Sequence, residues 1–260
     1  MALPALILHS LATTDTQQLL SFELIVFNTV VLIVYVTILY LILSQLDLSV
    51  KLRNTYFFGA FFGTVAYIGF PFIQSIFTTT QGTISILVAI HVAVAFSLGL
   101  YFLERSSQEE YHFYDTLFFL LKNPLIWAVI VGIFLLLFNF TLPNVIFDAI
   151  QMLANSASPV VLVAIGSFIT KNWPLQNLRH AFTITGLKII LMPLIFSLGL
   201  LYFPASEEMT ISIVEAGMSV ALTNFALSEM YPIDQHTISS SIIISVILSM
   251  ITLPLLVFLF

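Results

Sequence analysis

The run 54–77 contains no charged residue and is long enough to cross a bilayer, yet Gly69 and Pro71 fall inside it. Glycine weakens a helix, and proline removes an N–H and clashes with the carbonyl four residues earlier. In hydrocarbon no water replaces the lost hydrogen bonds, so such a break persists only where it is buried in protein or lines a cavity. This confines the chain to folds in which other helices enclose the interruption. In secondary transporters, broken helices of this kind are where solutes bind.

The rest of the chain is built for the same solvent. Hydrophobic residues make up 60% and charged residues 8%, a balance whose surface water would not wet in a soluble domain of 260 residues. A spanning helix needs roughly 20 apolar residues. Apolar runs between polar breaks give a half-length segment, 2–12, and then eight full spans at 22–45, 54–77, 82–104, 116–139, 145–170, 180–203, 210–230 and 236–260. The expected fold class is an all-α integral membrane protein whose partner is the lipid bilayer.

Other chemistry is excluded by what the chain lacks. Seven Lys+Arg at a net charge of -6 form no basic face for nucleic acid. Cysteine is absent, which removes disulfides, thiolate metal sites and Cys nucleophiles. The His residues are scattered without metal-ligand spacing, and no Walker-type phosphate loop is present, so neither a metal nor ATP is expected as a cofactor.

Orientation follows from the basic residues. Lys51, Arg53, Arg105, Lys171 and Arg179 fall in the second, fourth and sixth connections, Lys122 joins them if the fourth connection extends to 123, and the odd connections contain none. By the positive-inside rule those connections are cytoplasmic. The protein is then multi-pass in the cell (inner) membrane, with its start inside and Phe260 outside.

A shift of 155 positions places Ala2 and Pro4 on Ala157 and Pro159, and Val65, Ala66 and Phe70 on Val220, Ala221 and Phe225. Five spans separate the copies, so the second crosses in the opposite direction, as in inverted-repeat transporters. The division expected is 1–104 for the first repeat, 105–123 for a cytoplasmic connection and 124–260 for the second repeat.

In the first copy Thr64, Tyr67, Gly69 and Pro71 form the candidate substrate site, with a simple packing kink as the alternative. In the second copy Gly217 breaks the helix, and Ser219, Thr223 and Asn224 offer polar side chains inside an apolar span. These either bind a ligand or fix packing by interhelical hydrogen bonds; the matched break in the other half favours the ligand. Pro4 and Pro159 are expected as repeat-related breaks in the other helix type. Glu215 either couples a proton or Na⁺ to transport or, as the default, joins Glu207 and Glu208 in the headgroup region. Lys188 is expected to snorkel to the cytoplasm, and His91 to be a hydrogen-bonded structural residue.

The segments Ala2-Leu3-Pro4-Ala5-Leu6 and Ala66-Tyr67-Ile68-Gly69-Phe70-Pro71 resemble the first half of the auxin efflux carrier family, within the bile acid/arsenite/riboflavin transporter superfamily. Asn123-Pro124, Gly132, Leu142-Pro143, Ser158-Pro159, Ile165-Gly166, Leu187-Lys188 with Pro193, and Met218 with Asn224 resemble the second half. The resemblance implies ten spans as two inverted five-helix repeats, a scaffold and a transport domain, and two broken helices crossing at mid-membrane. It also implies transport of organic anions, dicarboxylates such as malate or malonate in bacterial members and auxin in plant ones. The short central connection resembles the bacterial form.

Thr64 stands where the family usually has Asn, and Ser219 where Pro often follows Met, so substrate and coupling ion do not carry over from it. The sequence is also expected to begin inside the family's second span, leaving nine segments, as a truncated reading frame or a degenerate copy would. The leading expectation is a secondary carrier of a small organic anion working by alternating access, coupled to H⁺ or Na⁺ or uncoupled, with a homodimer among its possible states. A non-transporting receptor or structural subunit and an intramembrane enzyme are the alternatives. The enzyme would need a carboxylate pair, a Ser/His pair or a metal cluster at one depth, and none is visible.

Overall fold

The computed structural model describes residues 2–14, 22–77, 81–106, 124–138, 140–203, 206–229 and 231–260. The expected cytoplasmic connection 105–123 lies outside the described residues beyond Ser106, as does the first part of the expected span 116–139. The described helices are α1 (Ala2–Ala12), α2 (Phe22–Gln45), α3 (Val50–Phe61), α4 (Val65–Ile76), α5 (Gln81–Ser106) and α6 (Pro124–Leu137). They continue as α7 (Asn144–Asn155), α8 (Ala157–Lys171), α9 (Leu178–Gly199), α10 (Glu207–Ala216), α11 (Thr223–Leu227) and α12 (Gln235–Leu259). Among the described residues, four helical stretches, α2, α7–α8, α9 and α12, are long and apolar enough to cross a membrane. The protein is an all-α integral membrane protein.

The helices follow from local chemistry. In α2, Phe27, Val31, Tyr35 and Leu39 are buried, while Val30, Ile33, Val34 and Leu41 face outward. An apolar outer face belongs in lipid, so the helix is hydrophobic all round. The Ser49 hydroxyl caps α3 by accepting from Leu52 N–H at 3.3 Å. Ser206 caps α10 in the same way through Met209 N–H, and Glu207 and Glu208 complement the positive end of that helix.

Two prolines leave a signature. Val65–Gly69 in α4 and Leu187–Leu191 in α9 are wound as π-helix. Each wide turn ends two residues before a proline, Pro71 or Pro193. A proline ring collides with the carbonyl four residues back, and widening the turn relieves the clash. Pro4, expected at a break, breaks nothing: α1 runs from Ala2 to Ala12 and holds Pro4 in its first turn. A missing N–H there interrupts no intrahelical bond. Near Pro159 the interruption falls at Ser156, between α7 and α8.

Helix bounds recur at the interval of 155. The start of α1 at residue 2 maps to 157, where α8 starts, and the end of α3 at 61 maps to 216, where α10 ends. The start of α2 at 22 maps to 177, one residue before α9, and the start of α5 at 81 maps to 236, one residue after the start of α12. Buried side chains concentrate in α3, α10 and the first halves of α5 and α12, around Phe58, Phe61, Leu87, Ile213 and Ile243. Around them α2 packs on α3, α5 and α9, and α1 packs on α5, α6 and α7. Val145, Met152, Leu162 and Val163 on α7 and α8 face outward.

Candidate functional site

The two broken helices meet at their breaks. Between α3 and α4, and between α10 and α11, the backbone leaves the helix, and Gly63 pairs with Val220 in one antiparallel bridge. Thr64 N–H donates to Ser219 O at 2.8 Å, and Ala221 N–H donates to Phe62 O at 2.9 Å. The backbone groups freed by each break are therefore satisfied by the other. This is what a bilayer interior demands of irregular chain.

Side chains complete the pairing. Thr64 Oγ1 lies 3.0 Å from Val220 O and 3.2 Å from Ser219 O, sharing its proton between them, and 3.3 Å from the Ser219 hydroxyl. Thr64 and Ser219 are the positions that the interval of 155 superposes. Asn224 Nδ2 donates to Phe58 O at 3.2 Å and to Phe62 O at 3.4 Å, covering the carbonyls at the end of α3. Ser245 on α12 accepts from Val220 N–H at 3.0 Å, and the Tyr35 hydroxyl on α2 donates to Ala60 O at 2.9 Å and Leu187 O at 3.0 Å. Asn224 Oδ1 is buried with no hydrogen-bond partner.

A cavity of about 410 Å³ lies between the crossing and α8, lined by Thr64, Tyr67, Leu222, Thr223 and Ala226 on one side and Val160, Ala164 and Ile165 on the other. A smaller hollow of about 40 Å³ shares Thr64, Tyr67 and Thr223 with it and reaches Gly63 and His91. Three hydroxyl-bearing residues thus line an otherwise apolar space, the usual makeup of a small-molecule site.

The expected site residues divide by role. Thr64, Tyr67 and Thr223 line the cavity. Ser219 and Asn224 are 1% and 0% exposed and hold the crossing instead of facing the cavity. Gly69 allows close approach: a Cβ there would lie 3.3 Å from Met218 Cγ. Pro71 shapes the π turn. Gly217 ends α10, and a Cβ on it would fall 2.4 Å from Leu256 Cδ1, so α12 packs directly on this break.

Two ionisable residues differ from their default expectations. Glu215 is 3% exposed in the last turn of α10 and does not join Glu207 and Glu208 at the surface. Lys188 does not snorkel; it is 0% exposed, and its Nζ donates to Ala216 O at 2.7 Å and contacts Met192 Sδ at 3.1 Å. Sequence gives the depth of a residue along its helix but not the face it presents. For Lys188 that face is set by α9 packing on α10. Glu215 Oε1 takes no hydrogen bond, and His91, stacked on Phe61, has an unpartnered Nε2. Ser245 and Tyr35, which cap freed backbone groups, carried no sequence signal beyond being polar inside apolar helices.

Comparison with known proteins agrees with this architecture. The uncharacterized transporter YfdV of Escherichia coli K12 is 25% identical over 199 residues, 74% of this chain and 63% of YfdV. An uncharacterized transporter of Methanothermobacter thermautotrophicus is 27% identical over 135 residues, 51% of this chain and 44% of that protein. The matched region thus spans less than two thirds of the length of these relatives. The family model described as membrane transport protein matches residues 1–257. With two broken helices paired across a cavity and a family match over nearly its whole length, the chain belongs to the membrane transport protein family of auxin efflux carriers.

Proposed function

We propose that the protein is a secondary carrier of small organic anions, dicarboxylates such as malate or malonate among them, and not an enzyme. The observation that carries this reading is the crossing itself: two antiparallel breaks whose exchanged hydrogen bonds border a cavity with three hydroxyl groups. Thr64, Tyr67 and Thr223 contact the substrate, Tyr67 and Thr223 donating hydrogen bonds to its oxygens while Val160 and Ile165 hold its carbon skeleton; the Thr64 proton stays with Ser219 O and Val220 O. The buried side chain of Lys188 lies just behind Gly63, at the second break.

Elements that recur at an interval of 155 and meet antiparallel at Thr64 and Ser219 support an inverted repeat, 1–104 and 124–260 joined by 105–123. In such a plan one repeat-derived unit moves against the other to expose the fixed site alternately. The basic residues support an orientation in the inner membrane with Phe260 outside.

The test is uptake of labelled malonate and malate by proteoliposomes holding the purified full chain. Saturable uptake, lost in Thr64→Val, supports the proposal. A folded protein that moves neither acid, or one whose uptake ignores Thr64→Val, overturns the substrate class or the site.

A further inference from the structure

The last turn of α10 leaves carbonyls without intrahelical donors, at the negative end of the helix dipole. In carriers with discontinuous helices, such half-helix C-termini coordinate the coupling cation. Here the Ala216 carbonyl already holds a positive charge, the Lys188 ammonium at 2.7 Å, in a fully buried position. Glu215, one residue before Ala216, is buried as well, and its Oε1 accepts no hydrogen bond. His91 is the other titratable group within electrostatic reach of the ammonium. Space for the ammonium exists because residue 63 is glycine: a Cβ there would lie 2.7 Å from Lys188 Cε and 2.8 Å from Nζ.

A carbonyl oxygen and a carboxylate in a buried setting are the donors a monovalent cation needs, and here an ammonium already engages the carbonyl, with the carboxylate in the preceding residue. The first break has no counterpart. Its Ala60 carbonyl is capped by the neutral hydroxyl of Tyr35, and the position that maps onto Lys188 by subtracting 155 is Ile33, on an outward face. A lysine is therefore not something the repeat geometry requires.

We propose that Lys188 is a tethered counterion that takes the place of a free coupling cation at the second break, so that the carrier works without Na⁺. For its transport arm this rests on the reading of the crossing as a carrier's site.

The purified full chain is melted in detergent in equimolar NaCl, KCl and choline chloride. The proposal expects one melting temperature for the wild type in all three salts. Lys188→Ala, which frees Ala216 O, should melt lower and regain stability saturably with Na⁺ or methylammonium but not choline. Lys188→Met, which fills the space, should not respond. Gly63→Ala, whose methyl group displaces the ammonium, serves if Lys188→Ala fails to fold and should show a weaker form of the same rise. A saturable Na⁺-specific rise in the wild type overturns the proposal, as does a folded Lys188→Ala indifferent to both cations. In proteoliposomes, malonate uptake should persist when choline replaces Na⁺. Absence of uptake in every salt would count against the carrier reading and leave the melting result to decide this one.

Discussion

The two breaks solve one problem with different chemistry. At the first, the carbonyls that end α3 are covered by neutral donors, the Asn224 amide and the Tyr35 hydroxyl. At the second, the carbonyl that ends α10 is covered by a lysine ammonium, with a carboxylate in the preceding residue. A neutral cap costs little to bury but also holds less firmly; a charged cap binds strongly and is safe only while its counter-charge stays in place. The first break is therefore the one to alter gently, and the second is the one whose balance fails abruptly.

Removing the charge should break the second side most. Lys188→Met leaves the buried Ala216 O without its charged donor, which should cost about 3 kcal/mol. Denaturation in detergent measures this, and a loss no larger than that of Tyr35→Phe would erase the asymmetry. Asn224→Leu comes next. It removes the amide's two hydrogen bonds to Phe58 O and Phe62 O, each of which keeps a backbone donor, and should cost about 2 kcal/mol, with malonate uptake falling as well. Tyr35→Phe removes one hydroxyl shared by Ala60 O and Leu187 O and should cost about 1 kcal/mol under the same denaturation.

Much of this arrangement was legible in the residues. Segments 2–12 and 22–45 coincide with α1 and α2 because membrane helices end where polarity rises. The span that breaks was legible from its Gly and Pro, but the break itself falls at 62–64, and Gly69 and Pro71 lie inside α4 beyond it, in and just after the π turn. The shift of 155 that superposes Thr64 on Ser219 also pairs them in space, at 2.8 Å between N and O. The positions of Lys188 and Glu215 were not legible, since periodicity within a wholly apolar helix does not separate a lipid face from a protein face. The π turns were not either: a proline announces that a helix must yield, but neighbouring packing decides whether it kinks, frays or widens. The distinction between lining residues and holding residues was equally hidden, because Thr223 and Asn224 are adjacent in sequence and face different surroundings.

That adjacent pair supplies the smallest effect and the most discriminating. Asn224 belongs to the crossing, so changing it alters stability and transport together. Thr223 lines both the cavity and the hollow beside it. Thr223→Val keeps the shape and removes one hydroxyl, and stability should stay within about 0.5 kcal/mol of wild type. If the hydroxyl binds substrate equally in the resting and moving states, KM for malonate should rise about threefold to tenfold while the maximal rate holds. A fall in maximal rate with KM unchanged would place Thr223 with the moving parts of the crossing. An unchanged KM and rate would remove it from the site and leave Thr64 and Tyr67 as the hydroxyls that meet the substrate.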